Sequence, residues 1–536
     1  MSPEIVRANR FALLCCLLFL LAGLPWIWRP GIQTDEALFS AGIYAPFADD
    51  GGRVKVFGHD YSLMVMSYVG ALKARIWSPI LRFAGISAGS VRIPALVIGA
   101  ISVWWFYRLM LRTLGVRAAV IGCALLAADP LYLLTIRWDW GPVALQHVLL
   151  IGGMLGVVAW WQDRKLLWLG LAFFAFGLAM WDKALFAWSL VGLTVACAVC
   201  FPRQLLSAIR PKPLAVAAVW FLVGASPLIL YNVRKDWTTF RSNANISNED
   251  VVYKARLVLD TVDGSALFGS VARNEDEGPL RTPDRWLEQA VVGASVAAGS
   301  PKHTVQLWML GASLLFVPLV WRPPGARGVA FALVFALVTW AQMVPLKNGG
   351  TGAHHSILLW PAPAMAIAAS MAYVGDRTAR PWRWVAGVCA IGMLSGWLVT
   401  CTYYRDVLRN GGTLVWTEAF YPAVRYLQTL RLKELCVVDW GFFDNLRLFG
   451  RGRLPLNVAN DPAGSDDDRK YCLMQVSDPE KAFVAHTVGN EVAPPGLAGR
   501  IVKFAEEHGY RKVNTKVFAD TNGRPTVEVF SFEKVP

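Results

Sequence analysis

Eleven apolar runs, each about long enough to cross a membrane, limit the fold of this chain more than any other feature. A helix needs roughly 20 apolar residues to span about 30 Å of hydrocarbon, and a segment surrounded by lipid satisfies its backbone only as a helix. The predicted spans are residues 11–28, 88–107, 116–136, 142–161, 166–181, 184–201, 213–231, 304–321, 327–345, 355–374 and 384–401. The sequence therefore predicts a mainly α, polytopic membrane protein.

The composition agrees with this prediction and excludes other classes of protein. Hydrophobic residues make up 55% of the chain and charged residues 17%, against about 45–50% and about 25% in soluble domains. Disordered, fibrous and ordinary cytosolic chains are thereby excluded. The net charge of +14 lies mostly in short loops between apolar runs, so it does not indicate nucleic-acid binding.

Basic residues in alternate loops predict the orientation of the chain. Such loops face the cytoplasm in most membrane proteins, which places the N-terminus inside and the loops 29–87 and 232–303 outside. The first span lacks a cleavage site and is interpreted as a retained anchor in the cell inner (plasma) membrane. The basic loop residues are Arg7, Arg10, Arg108, Arg112, Arg117, Arg164, Lys165, Arg203, Arg210, Lys212, Arg322, Arg327, Arg377, Arg380 and Arg383.

The apolar segment 60–84 is predicted to lie on the membrane surface. It contains Lys73, Arg75, Pro79 and Arg82, and charges at the centre of a bilayer are costly. We therefore expect an interfacial helix rather than a twelfth span.

Residues 402–536 have a globular composition and are predicted to form a small α/β domain outside the cytoplasm, following a membrane domain over residues 1–401. Cys436 and Cys472 fall on predicted strands, where either one disulfide or two buried thiols would be consistent with the pattern. The predicted helices are 417–432, 441–450, 478–487 and 497–508, and the predicted strands are 434–440, 470–476, 511–519 and 525–532.

Ionisable residues recur at the outer ends of the spans. They are Asp35, Glu36, Arg137, Asp139, Asp182, Lys183, Lys347, His354 and His355. Ionisable groups at membrane depth tend to be functional, so we expect them to converge on one outward cavity. Carboxylates near cations would suit a general base and the stabilisation of a departing phosphate.

Each of these residues also has a purely structural interpretation. Thr34 or Asp35 would cap the helix that follows, and Asp139 would be a turn residue before Gly-Pro. Asp182 and Lys183 would form a local ion pair in a hairpin turn. The two histidines would be interfacial side chains without chemistry.

Five short motifs in a fixed order resemble those of the polyprenyl-phosphate-sugar-dependent glycosyltransferases with the C-type (GT-C) membrane fold. The most similar patterns are those of the dolichyl-phosphate-mannose protein mannosyltransferases and the bacterial aminoarabinose transferases that act on lipid A. The resemblance covers roughly residues 11–400. The motifs are Thr34-Asp35-Glu36, Val91-Arg92-Ile93-Pro94, Arg137-Trp138-Asp139, residues 177–183 (Gly-Leu-Ala-Met-Trp-Asp-Lys) and residues 357–363 (Ile-Leu-Leu-Trp-Pro-Ala-Pro).

The resemblance implies a role for each matching residue. Asp35 would be the general base, Glu36 its orienting neighbour and Asp139 a part of the catalytic centre. Arg137 and Lys183 would hold the donor phosphate, with Asp182 in support. Lys183 lies in Asp182-Lys183-Ala184-Leu185 and lacks the Gly-Pro that often follows it in this family.

Two further parts of the family pattern differ here. His354 and His355 stand where relatives often carry Lys or Arg before the tenth span, with Lys347 upstream. A histidine charge depends on pH, so a phosphate role is less secure there. Family members differ in whether they need a metal, and a divalent cation between Asp35 and Asp139 is left open.

The expected reaction is an inverting transfer of a sugar from a polyprenyl-phosphate donor to an acceptor hydroxyl on the outer face. The acceptor would be a glycan, a lipid or a protein. No nucleotide-binding motif occurs in the sequence. Two other classes stay open at this point: a transporter or flippase of a lipid-linked glycan, and an inactive scaffold that kept the fold.

Overall fold

The computed structural model describes residues 2–44, 52–56, 59–243, 245–247, 249–315 and 324–536, and most of these residues are helical. The first helices are α1 (Pro3–Gly23), α2 (Thr34–Ala41), α3 (Leu72–Ala84), α4 (Ala88–Thr113), α5 (Val116–Ala127), α6 (Pro130–Trp138), α7 (Val143–Asp163), α8 (Leu166–Asp182), α9 (Phe186–Cys200), α10 (Pro202–Ala208), α11 (Pro211–Arg234) and α12 (Thr238–Arg241). The next are α13 (Val251–Val262), α14 (Trp286–Ala297), α15 (Gln306–Leu315), α16 (Pro324–Met343), α17 (Ala353–Ser356), α18 (Ala362–Gly375) and α19 (Pro381–Asn410).

The long apolar helices make this a multi-pass membrane protein. Within the described residues, six helical segments are long and apolar enough to cross a membrane, or up to eight if each bent pair is one span. The predicted count of eleven is not confirmed, because α8 and α15 are apolar but shorter. The predicted span 304–321 continues past α15 into residues outside the described part of the chain.

The predicted span 116–136 is broken rather than continuous. Helices α5 and α6 meet at a bend of 55°. Asp129 caps α6 by accepting a hydrogen bond from the Tyr132 amide at 2.9 Å, and Pro130 follows as the first helical residue. An Asp cap before a proline starts a new helix. The other Asp129 oxygen accepts a hydrogen bond from Trp360 Nε1 at 2.8 Å, which joins the bend to the residues just before α18.

The segment before α3 corrects the prediction of one interfacial helix over residues 60–84. Strands β1 (Arg53–Val56) and β2 (His59–Ser62) pair antiparallel, as do β3 (Met64–Met66) and β4 (Val69–Gly70). Only Leu72–Ala84 is helical. Consecutive short hairpins give no helical period, which is why residues 60–70 are mispredicted.

Close approach of α8 and α11 depends on paired glycines. A Cβ built on Gly177 would lie 2.3 Å from the Phe221 carbonyl oxygen, and one built on Gly224 would lie 2.5 Å from that of Phe174. Small residues let membrane helices approach to backbone contact. Gly177 belongs to the motif that ends in Lys183, so this contact also positions the end of α8.

The C-terminal region contains a small α/β domain, as predicted. Strands β5 (Glu434–Val437), β6 (Leu456–Val458), β7 (Lys481–His486), β8 (Tyr510–Ala519) and β9 (Pro525–Lys534) form one sheet in the order β6-β5-β7-β9-β8. β5 is parallel to β6 and β7, whereas β9 is antiparallel to β7 and β8. The helices are α20 (Phe420–Leu427), α21 (Phe443–Phe449), α22 (Asp466–Val476) and α23 (Leu497–Glu507).

Two elements of this domain were predicted with the wrong type. Residues 470–476 form the end of helix α22, which Ser465 and Asp468 start with a reciprocal capping box. Residues 478–487 contain β7, in which every residue is buried. A strand buried on both faces loses the period-2 pattern that identifies strands. Cys472 therefore lies on a helix, and both Cys436 and Cys472 are buried free thiols.

We predict that Gly177→Ala destabilises the protein by about 1–3 kcal/mol, because the added methyl meets a backbone oxygen that has little room to move. The measurement is the thermal unfolding midpoint of the purified protein in detergent. Gly387→Ala in α19 is the control, since nothing lies within 4 Å of a Cβ there. Equal midpoints for the two variants would contradict the close packing of α8 against α11.

Candidate active site

Asp35 and Glu36 begin helix α2, where Gln33 provides the cap. Gln33 Oε1 accepts hydrogen bonds from the Asp35 amide at 2.6 Å and the Glu36 amide at 3.4 Å. The expectation that Thr34 or Asp35 caps this helix is wrong, and both carboxylates are left available for other contacts. Successive helical residues point about 100° apart, so Glu36 turns into the protein while Asp35 stays half-buried.

Glu36 forms a buried ion pair with Arg92 of α4. Arg92 Nε and Nη2 donate to the two carboxylate oxygens at 2.7 and 2.9 Å, and neither side chain is exposed. Arg92 also donates to the carbonyls of Ile27, Pro30 and Gly31. The pair therefore holds the segment between α1 and α2 (residues 24–33, the first outer segment in the predicted topology) against the membrane helices.

Arg137 also binds this segment rather than facing an open cavity. Its Nη2 donates to the carbonyls of Pro25, Trp26 and Arg29 at 2.7, 2.7 and 3.2 Å. The guanidinium is fully buried and lies 4.9 Å from the Tyr404 ring. In this geometry one Arg137 nitrogen holds backbone carbonyls, and the expected contact with a donor phosphate stays a prediction.

Asp139 ends α6 in the left-handed conformation, with φ +43°, which Asp tolerates better than most residues. Its Oδ1 accepts a hydrogen bond from the Ala144 amide at 3.0 Å. Its Oδ2 lies 2.6 Å from Lys73 Nζ, and both side chains are buried.

Lys73 is a site residue that the sequence analysis missed by placing its segment on the membrane surface. The available signal was a lysine within a largely apolar segment, because a cation in such a position usually has an inward-facing partner.

Asp35 and Lys183 lie within electrostatic reach of each other. Asp35 Oδ2 accepts a hydrogen bond from Trp140 Nε1 at 3.2 Å, and no Lys or Arg of the described residues forms an ion pair with it. Burial raises the pKa of Asp35, while the Trp140 hydrogen bond and the Lys183 charge oppose this shift. Burial lowers the pKa of Lys183 to about 8, although Asp35, Asp182 and Asp139 favour its charged form.

Gly141 brings three elements of the site together. Lys183 Nζ donates to its carbonyl at 3.3 Å. A Cβ at Gly141 would lie 3.1 Å from Lys183 Nζ and 3.2 Å from His354 Cδ2, and the residue has φ +83°. The positive φ favours glycine at this position, and a Cβ would have little room.

The remaining predicted residues divide into those near this cluster and one outside it. The His354 ring lies 4.7 Å from the Trp140 ring and 4.1 Å from the ring of His355. Asp182 accepts a hydrogen bond from Gln146 at 2.7 Å. Lys347 is exposed, and the structure does not bring it to the cluster.

Helix α21 of the C-terminal domain covers Asp35. Asn445 Nδ2 donates to the Ile32 carbonyl just before α2, at 2.9 Å. Asp444 is half-buried and lies 3.5 Å from Arg447. Burial raises the pKa of Asp444 to about 6, Arg447 opposes this, and the Asp35 charge adds to it. Asp444 lies in a region from which the sequence analysis proposed no site residue, because no pattern linked it to Asp35.

Comparisons with known proteins agree with this architecture. Residues 74–231 match the family model described as dolichyl-phosphate-mannose-protein mannosyltransferase. The structure is similar to ArnT from Cupriavidus metallidurans bound to undecaprenyl phosphate, with a TM-score of 0.55, 14% identity and 97% of each chain covered. The chain has the GT-C glycosyltransferase fold.

Two archaeal structures share the GT-C fold. The Archaeoglobus fulgidus oligosaccharyltransferase in its apo form has a TM-score of 0.53 and 12% identity, with 96% of this chain and 74% of that chain covered. AglB from Archaeoglobus fulgidus in complex with an inhibitory peptide and a dolichol-phosphate has a TM-score of 0.52 and 12% identity, with 100% and 75% covered. No curated protein sequence matches the chain.

The residues of this GT-C fold do not fit the divalent cation that was left open. Asp139 directs one oxygen at Lys73 and the other at the Ala144 amide. Within the described part of the chain, no group of three or more His, Cys, Asp or Glu could hold a metal ion. We therefore assign no metal chemistry to Asp35 and Asp139.

We predict that Lys73→Met destabilises the protein by about 3 kcal/mol, because it leaves Asp139 as an uncompensated buried charge. Adding Asp139→Asn should restore at least half of the lost thermal stability, since both charges are then removed. Arg82→Met, on the exposed end of the same helix, is the control. If Lys73→Met unfolds at the same temperature as Arg82→Met, the ion pair does not form.

Proposed function

We propose that the protein is a glycosyltransferase that moves a sugar from a polyprenyl-phosphate donor to an acceptor hydroxyl at the outer face of the cell inner membrane. One observation carries this proposal. Glu36 and Asp139 each have their own buried cation, whereas Asp35 is half-buried, forms no ion pair with a Lys or Arg of the described residues, and lies within electrostatic reach of the buried Lys183. The family model over residues 74–231 and the GT-C fold support the same class of enzyme.

The arrangement suits a single displacement. Asp35 takes the proton from the acceptor hydroxyl, and the acceptor oxygen forms a bond to the anomeric carbon. The bond from that carbon to the phosphate oxygen breaks, and its electron pair leaves with the lipid phosphate. Direct attack from the opposite side inverts the anomeric configuration.

Lys183 provides the cation for the developing phosphate charge. Its ammonium group is buried, where an electrostatic contact is stronger than in water. His354 also lies beside Gly141 and adds a hydrogen-bonding ring close to Lys183. The solved ArnT and AglB structures were determined with undecaprenyl phosphate and dolichol-phosphate, which supports a lipid-phosphate donor here.

The buried ion pairs hold the base in place. Arg92 and Arg137 bind the carbonyls of the segment that leads into α2. These contacts fix the start of α2 and therefore the position of Asp35. A general base that is already in position needs less reorganisation during the reaction. Asp444 and Arg447 of the C-terminal domain border the same space and would contact the acceptor.

We predict that Asp35→Asn lowers turnover by at least about a hundredfold, the usual lower range for loss of a general base. The assay follows release of lipid phosphate from a labelled polyprenyl-phosphate sugar by the purified protein. Asp260→Asn, a carboxylate of α13 whose side chain is 36% exposed, is the matched control and should retain activity.

Each outcome of this assay has a clear meaning. Near-normal turnover by a well-folded Asp35→Asn variant would exclude the general-base role. Movement of the intact lipid-linked sugar across the membrane, without release of lipid phosphate, would instead identify a flippase. Lipid phosphate released by the wild type and by Asp260→Asn, but not by a well-folded Asp35→Asn, would support the transferase.

We also predict a bell-shaped dependence of kcat/KM on pH. Protonated Asp35 cannot accept a proton, so activity should rise as pH rises through its elevated pKa. Lys183 loses its charge as pH rises through about 8, so activity should fall above that value. The profile of kcat/KM reports groups of the free enzyme.

Lys183→Arg separates the two limbs. Arginine stays protonated throughout this range, so the alkaline fall should move to higher pH while the acidic limb stays in place. The pH at which kcat/KM falls on the alkaline side tests the role of Lys183, even if the variant has a lower absolute rate. An unchanged alkaline limb would show that another group causes it.

A further inference from the structure

A second cavity, of about 850 Å³, lies between the first outer segment and the C-terminal domain. Neither Asp35 nor Lys183 lines it. Its described lining includes four arginines and no Asp or Glu. Residues 86–88 and Trp28 line part of it, and the other lining residues lie between 421 and 455.

The four arginines Arg425, Arg431, Arg451 and Arg453 are exposed. Among the described residues none of them forms an ion pair, whereas most of the buried or half-buried arginines near the active site have carboxylate or carbonyl partners. The charges of Arg82, Arg451 and Arg453 all reach the Tyr44 hydroxyl, so a fifth cation lies close to the same opening. Concentrated unpaired positive charge of this kind attracts anions.

The cavity lies beside the ends of two helices that are long and apolar enough to span a membrane. Ile86 and Ser87 precede α4, which begins at Ala88, and Trp28 follows shortly after α1. Trp28 is 44% exposed, and Phe83, just before the cavity lining, is 96% exposed. Exposed aromatic residues beside a span are typical of the membrane–water interface.

The lining of the cavity is chemically mixed. It includes the four arginines and the apolar side chains of Leu427, Leu454 and Phe449. Guanidinium groups bind phosphate oxygens through paired hydrogen bonds. Apolar side chains in the same lining favour a ligand that carries both a phosphate and a hydrophobic part.

We propose that this cavity binds a phosphate group at the membrane surface, separately from the sugar donor. A phospholipid headgroup and a soluble phosphorylated compound share this chemistry. Two residues of the cavity lining connect it to the segment held by Arg92. The Tyr421 hydroxyl donates to the Trp28 carbonyl at 3.4 Å, and Trp28 belongs to that segment. A bound phosphate thus lies against the same segment that leads to Asp35.

The test measures binding of fluorescent phosphatidylglycerol and phosphatidylcholine to the full-length protein in neutral detergent, with inorganic phosphate as competitor. The Arg451→Gln/Arg453→Gln variant should bind phosphatidylglycerol at least about tenfold more weakly, given roughly 1 kcal/mol for each basic residue at an anionic surface. The matched control is Lys470→Gln/Lys503→Gln, two exposed lysines on α22 and α23, which should bind as the wild type does.

The competition distinguishes the sources of phosphate. Tighter binding of phosphatidylglycerol than phosphatidylcholine, lost in the arginine variant and resistant to inorganic phosphate, supports a lipid headgroup. Displacement by millimolar phosphate that also depends on Arg451 and Arg453 supports a soluble phosphorylated ligand. Equal binding of both lipids, or binding unchanged in the arginine variant with the same unfolding temperature as the wild type, overturns the proposal. Transferase activity is not part of this readout, so the result is independent of the proposed function.

Discussion

Two buried ion pairs, Glu36–Arg92 and Lys73–Asp139, constrain the active region of this protein more than any other contact. A charge removed from water is tolerated only with a partner and good geometry, and all four side chains here are buried. Each pair joins distant parts of the chain: α2 to α4, and α3 to the end of α6. The segment between α1 and α2 is thereby fixed to the membrane helices. The candidate active site, with Asp35 and Lys183, lies beside these two pairs.

This pairing explains how similar residues acquire different roles. Asp35 and Glu36 are neighbours, but successive residues of a helix point about 100° apart. This rotation directs Glu36 to Arg92 and leaves Asp35 beside Trp140 and Lys183. Asp139 has the same chemistry as Asp35 but is neutralised by Lys73. Because a base must have an available oxygen, the arrangement favours Asp35 over the other carboxylates.

The C-terminal domain belongs to this arrangement rather than forming a separate module. Asn445 ties α21 to the segment before α2, and Asp444 lies within electrostatic reach of Asp35. The same docking encloses the arginine-lined cavity on another side. One interface therefore borders both the catalytic space and the proposed phosphate site.

Much of the fold could be predicted from local patterns. Long apolar runs identified the membrane helices, and the composition change near residue 402 indicated the α/β domain. Errors arose where tertiary burial removes the local signal. The buried strand β7 has no alternation, the hairpins of residues 53–70 have no helical period, and α5–α6 is broken by an Asp129–Pro130 cap within one apolar run.

The sequence by itself determined that the chain crosses a membrane and that several of its span ends carry carboxylates and cations, because hydropathy and residue order are local properties. Only the tertiary structure decided which charges neutralise one another. Lys73 became the partner of Asp139, Arg137 became a ligand of backbone carbonyls, and Lys347 stayed outside the site. Asp444 joined it from another domain. Ion pairing depends on distances between residues far apart in the chain, and those distances are set by packing.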